Sequence, residues 1–129
     1  MAPLVEPILN RWFTAEFHAA EPAKVDRIRQ MLLTTDPKGY AACCAAIRDM
    51  DQREAIKTIT ATTLVIGGTQ DPGTTPADAE LIARSIPGAK LTMLDAAHLS
   101  NIERAPEYTQ ALLDFLGEGA GKPGIATSN

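Results

Sequence analysis

Two side chains in this sequence are placed to share a proton. Asp71 and His98 each follow a short apolar run, Leu64-Val65-Ile66 and Leu91-Thr92-Met93-Leu94, so each falls just beyond the end of a strand. Ligands of α/β enzymes gather outside the carboxyl ends of parallel strands, which directs both residues into one crevice. A carboxylate against an imidazole fixes the ring tautomer and steadies its positive charge, as a general base requires. Asp95 is a second acid near His98, but it sits at the strand end only three residues away, and Asp71 is the preferred partner. His18 has no acid at a telling distance and reads as a surface or satisfied histidine.

The stretch that must position the pair runs from Thr62 to Ser100. Branched residues at 64–66 ending in Gly67-Gly68 suit a strand buried on both faces of a parallel sheet. Thr75-Pro76-Ala77-Asp78 then predicts a helix start, with Thr75 as N-cap, Pro76 in the first turn and Asp78 completing a capping box. Leu81, Ile82 and Ile86 form its apolar side, and Pro87-Gly88 ends it. The unit is strand, crossover helix, strand, for which a right-handed parallel arrangement is strongly preferred.

Before the first strand the pattern is helical. Short helices are predicted over Pro3–Asn10, from Glu21 to Leu33, from Asp36-Pro37 with Tyr40, Cys44 and Ile47 on one face, and over Gln52–Ile59. Such a succession is natural for a lid over a sheet. Arg11-Trp12-Phe13 falls before an expected turn, and two readings stay open. Either Trp12 lines a pocket while the Arg11 guanidinium grips a substrate carboxylate in a fork, or Trp12 and Phe13 pack and Arg11 is solvated. After His98, Ser100-Asn101-Ile102-Glu103 offers a second capping box. A last helix from Pro106-Glu107 carries Leu112, Leu113 and Leu116, with Gly117 as its stop, and the tail from Glu118 to Asn129 is expected to be disordered.

The chain has 129 residues, enough for one domain, and its 45% hydrophobic and 22% charged residues are those of a globular protein. A net charge of -4 with no basic run argues against nucleic acid and anionic membrane as partners. No apolar stretch reaches the roughly 20 residues of a membrane span, and no signal-peptide pattern opens the chain, so the expected location is the cytoplasm. Cys43 and Cys44 are adjacent, poorly placed to bond to each other, and are expected as buried free thiols; no metal site is indicated. Two strands make neither a stable parallel sheet nor a finished core. The chain is therefore expected either to associate with itself or an N-terminal partner chain that supplies strands, or to be the last part of a longer domain.

Gly68-Thr69-Gln70-Asp71-Pro72, followed by Ala97-His98-Leu99-Ser100-Asn101, resembles the C-terminal part of an α/β-hydrolase. Arg11-Trp12-Phe13-Thr14, Gly39-Tyr40-Ala41-Ala42, Ala45-Ala46-Ile47-Arg48-Asp49 and His98-Leu99-Ser100-Asn101-Ile102-Glu103 make the likeness closer to the 3-oxoadipate enol-lactonases of aromatic catabolism, over about residues 1 to 116. The resemblance implies a Ser-His-Asp hydrolase of an enol-lactone with no cofactor. Asp71 would be the acid, His98 the base, and Arg11 with Trp12 part of the cap over the substrate. It divides the chain into a cap-like segment at 1–58, a βαβα part of the core at 59–117 and the tail at 118–129. The departure is the nucleophile: neither Ser85, Ser100, Ser128 nor either cysteine lies in a G-x-S-x-G elbow. Asp71 cannot take that role, because the residue after an elbow nucleophile donates its backbone N–H to the oxyanion hole, and Pro72 has none. Alone, the chain is expected to be inactive; a non-catalytic dimerising module is the alternative.

Overall fold

The computed structural model describes residues 1–120, and within them the elements before Leu64 are all helices. Helix α1 spans Ala2–Trp12, α2 Ala15–Ala20, α3 Pro22–Thr34 and α4 Pro37–Asp49. Three of the four begin with proline in the first turn, where the missing N–H has no partner to lose. Asp36 caps α4 by accepting from the amides of Lys38 and Gly39.

A core of Val5, Ile8, Leu9, Phe13, Phe17, Val25 and Leu32 joins α1, α2 and α3. Leu9 and Phe13 are all but sealed from solvent, at 0% and 2% exposure. Burying side chains of this size contributes roughly 1.5–3 kcal/mol each. The apolar positions of α1 recur at helical spacing, and it is this stripe that α3 covers.

Beyond a 3-10 turn at Ala55–Thr58, strand β1 (Leu64–Gly68), helix α5 (Pro76–Ser85) and strand β2 (Lys90–Leu94) form the crossover unit. The strands pair in parallel, with Leu64 opposite Lys90 and Gly68 opposite Leu94. Helix α5 packs on both strands, and the capping box of Thr75 and Asp78 is made in both directions. Gly88, at φ +73, supplies the left-handed turn after α5. Two helices close the described chain: the short α6 at Ser100–Glu103 and the longer α7 at Ala105–Ala120. Among the described residues the sheet has two strands, so each strand presents one unpaired edge. No helix there is long and apolar enough to cross a membrane.

Several expectations are corrected. Arg11 and Trp12 lie in the last turn of α1, two residues beyond the helix end expected at Asn10. Helix α2 was not foreseen; at six residues it is too short for periodicity, and its start depends on Thr14, whose hydroxyl accepts from the Phe17 amide at 3.2 Å. The helix expected over Gln52–Ile59 shrinks to the 3-10 turn. Cys43 and Cys44 are exposed, not buried, since no residue of α4 is fully covered by the rest of the chain. Ser100 and Glu103 form no capping box: the N-cap is Leu99, and the Glu103 carboxylate is engaged elsewhere. Gly117 does not stop α7, which continues to Ala120; a glycine inside a helix costs only about 1 kcal/mol. The rest of the expected disordered tail, 121–129, lies outside the described residues.

Candidate active site

The loop after β1 begins at Gly68, which has no room for a side chain. A Cβ there would lie 2.4 Å from the carbonyl oxygens of both Ala96 and Ala97. Only glycine lets the loop after β2 settle against the end of β1 in this way. The amides of Thr69 and Gln70 then bond to the carbonyls of Leu94 and Ala96, so the acid-bearing and histidine-bearing loops run side by side.

Asp71 sits in this joint, at 6% exposure. Its Oδ1 accepts from the backbone amides of Gly73 at 2.8 Å and Thr74 at 3.1 Å, an Asx-type turn that closes the loop on its own side chain. Its Oδ2 accepts from the Thr74 hydroxyl at 2.6 Å and from His98 Nδ1 at 2.7 Å. Burial pushes the carboxyl upward, but the bonds from Thr74, His98 and the two amides outweigh it, and the group lies below the ordinary carboxylate range. An ionised Asp71 accepts the Nδ1 proton, which leaves Nε2 of His98 as the basic nitrogen.

His98 is the more open partner, its side chain 38% exposed. One face of the ring is stacked on Trp12, with centroids 6.0 Å apart and planes inclined by 23°. Among the described residues, its hydrogen-bonding neighbours, Asp71 and Thr74, are both at Nδ1. A cleft of about 260 Å³ runs from the pair along β1, lined in part by Val65, Gly67, Thr74 and Ser100.

Of the residues singled out in the sequence, Asp71, His98 and Trp12 come together. Arg11 does not join them by contact: it is exposed on α1, and among the described residues no ion pair holds it. Asp95 is exposed and turned away from the imidazole, accepting from Gln70 Nε2 at 2.8 Å and facing Arg104 at 3.5 Å. His18 lies 3.2 Å from the Leu9 carbonyl through Nε2 and meets Phe13 edge-on, a satisfied histidine at the edge of the helical core. Ser85 donates back to Leu81 O within α5. Among the described residues no group of three or more His, Cys, Asp or Glu side chains could hold a metal ion.

Sequence reading missed Thr74, Thr14 and the true role of Glu103. The sequence Asp71-Pro72-Gly73-Thr74 carried a usable signal for the first, since Asp ahead of Pro-Gly favours a side-chain-closed turn. The contact between the other two spans 89 residues and had no local signature.

No protein-family model matches the chain. It is 34% identical over 112 residues to 3-oxoadipate enol-lactonase 2 of Acinetobacter baylyi, which covers 87% of this chain and 42% of that protein. To 3-oxoadipate enol-lactonase 1 of the same organism it is 34% identical over 116 residues, covering 90% and 44%. Among solved structures, the enol-lactonase from Burkholderia xenovorans superimposes with a TM-score of 0.89 at 43% identity, over 91% of this chain and 45% of that one. An esterase from Thermogutta terrifontis gives 0.83 at 28% identity. The chain thus spans less than half the length of the curated relatives it matches, and its fold is part of an α/β-hydrolase fold.

Proposed function

We propose that this chain is the C-terminal portion of a carboxylic-ester hydrolase that opens an enol-lactone in the manner of a 3-oxoadipate enol-lactonase, with Asp71 as the acid and His98 as the general base. The observation that carries this reading is the 2.7 Å contact between Asp71 Oδ2 and His98 Nδ1 at the tips of two paired parallel strands. The attacking hydroxyl and the oxyanion hole belong, on this reading, to polypeptide outside these residues. His98 Nε2 takes the proton of that hydroxyl as it adds to the lactone carbonyl. It then returns that proton to the ring oxygen as the carbon–oxygen bond breaks, and a water deprotonated by the same nitrogen cleaves the acyl group left on the hydroxyl oxygen, which takes the proton back, while Asp71 steadies the imidazolium each time.

Helices α1 to α4 act as a cap in this scheme, residues 59–117 as the core portion, and Arg11 and Trp12 as cap residues over the substrate. Trp12 reaches the imidazole directly. Arg11, one position earlier and exposed, offers a bidentate guanidinium to a substrate carboxylate. The substrate is a small lactone in the cytoplasm, bound only once an N-terminal partner segment has completed the sheet.

The test is complementation. The purified chain should show no enol-lactone hydrolysis, and mixing it with an N-terminal hydrolase portion carrying a G-x-S-x-G elbow should restore a turnover that disappears in H98A. Fast, His98-dependent turnover by the chain alone would refute the division of labour, and a failure to bind any such portion would remove the split arrangement. A second reading, a non-catalytic module that dimerises through its uncovered faces, is favoured by one observation: Ile47, Leu113 and Leu116 are more than half exposed, at 67%, 58% and 65%.

A further inference from the structure

The backbone amides of the two residues that flank His98 are tied to one place, the elbow between α1 and α2, one directly and one through Glu103. The amide just before it, on Ala97, donates to Glu103 Oε2 at 2.9 Å, and the amide just after it, on Leu99, donates to the Trp12 carbonyl at 3.0 Å. The other oxygen of Glu103 accepts from the hydroxyl of Thr14, the residue that caps α2. Trp12 and Thr14 flank Phe13, which is anchored in the helical core. One carboxylate therefore bridges the histidine loop and the helical segment, and the indole that stacks on the imidazole comes from the same elbow.

We infer that Glu103 is a positioning residue for His98: through Ala97 and Thr14 it holds the imidazole between the Asp71 carboxylate and the Trp12 ring. Its spacing from Ser100 suggests a helix cap, yet Leu99 is the N-cap of α6 and no side chain caps that helix. The carboxylate is instead committed to a loop six residues back and to a hydroxyl 89 residues away in sequence. The Asp71 contact orients the ring from one side only. Rotation of the Ala97–His98–Leu99 backbone would carry the ring off both Asp71 and Trp12, and the Glu103 and Trp12 carbonyl bonds oppose that rotation. The role rests on the assignment of His98 as the base, but its structural content is open to measurement without turnover.

The experiment uses the full chain, isotopically labelled, and reads two signals by NMR: the low-field proton of the His98 Nδ1–H to Asp71 bond, and cross-relaxation between the His98 and Trp12 rings. E103A should lose both signals while its far-UV circular dichroism stays that of the native chain. E103Q should keep both, since the amide oxygen still accepts from Ala97 and its NH2 group can donate to Thr14 Oγ1. E107A, which changes an exposed glutamate on α7, serves as control and should leave both unchanged. If E103A retains both signals at native strength, the inference is overturned. Should E103A lose its helical signal, T14V decides instead: it removes the hydroxyl that anchors Glu103, together with the cap of the six-residue α2, and at least a twofold weakening of the ring–ring cross-relaxation is expected, with no change overturning the inference. The hydrolase reading fails differently, by absence of turnover in the complemented wild-type complex whatever these spectra show.

Discussion

Gly68 and Ala97 approach so closely that a methyl group on the first would lie 2.4 Å from the carbonyl oxygen of the second. The two residues belong to different strand ends, and their contact is what brings the loop of Asp71 and the loop of His98 into register. Replacing Gly68 by alanine forces backbone to move, because the obstructing atoms are main-chain carbonyls and not a flexible side chain. G68A should lose about 1–3 kcal/mol of stability, the usual range for overpacking, measured by urea denaturation. It should also abolish the low-field His98 proton.

The depressed pKa of Asp71 makes a stability contribution that depends on pH. Its folded value lies below the ordinary carboxylate value, so the unfolded chain binds more protons there as pH falls. The contribution is fully present above the unfolded value, near about 4, and is lost as pH drops through that value towards the lower folded one. D71N should flatten this part of the curve of stability against pH, as measured by thermal melts from neutral to acid conditions.

In a complemented complex, D71N should lower kcat by on the order of 10⁴, because the amide leaves the imidazole in the wrong tautomer while preserving its position. D95N, which alters a carboxylate facing Gln70 and Arg104, should change kcat by far less. Steady-state kinetics on an enol-lactone separates the two.

Trp12 is the sole tryptophan and lies on the imidazole of His98, so its emission should report whether that ring is in place. H98A uncovers one face of the indole and should shift the emission maximum to longer wavelength, whereas H18A, at a histidine that meets Phe13 instead, should leave it unchanged. Steady-state fluorescence of the chain alone checks this.

The uncovered leucines of α7 predict association. Leu113 and Leu116 are exposed on a helix whose opposite side meets β2. The chain alone should therefore sediment as a species that grows with concentration. The double variant L113E/L116E should shift it towards monomer while keeping its helical signal.

Much of the local structure follows from residues near one another in the chain. Proline in the first turn of α3, α4 and α5, the Thr75–Asp78 box, the branched run of β1 and the apolar run of β2 each act over a few positions, and the elements appear where those signals put them. The failures share a cause. Gly117 ends no helix because a glycine terminates one only when the chain turns into the left-handed region, and α7 continues instead. Cys43, Cys44 and Ile47 are exposed because burial depends on what lies opposite a helix face, and no residue of α4 is fully covered by this chain.

The candidate site divides along the same line. Residue types and strand ends alone were enough to single out Asp71 and His98, since a carboxylate and an imidazole after successive apolar runs are visible without coordinates. Their contact, the stacking of Trp12 and the bridge from Thr14 through Glu103 to Ala97 were decided by tertiary structure. These depend on a crossover of two strands and on a helical elbow brought back to the loop across 89 residues, and hydrogen bonds of that range leave no periodicity or spacing in the sequence.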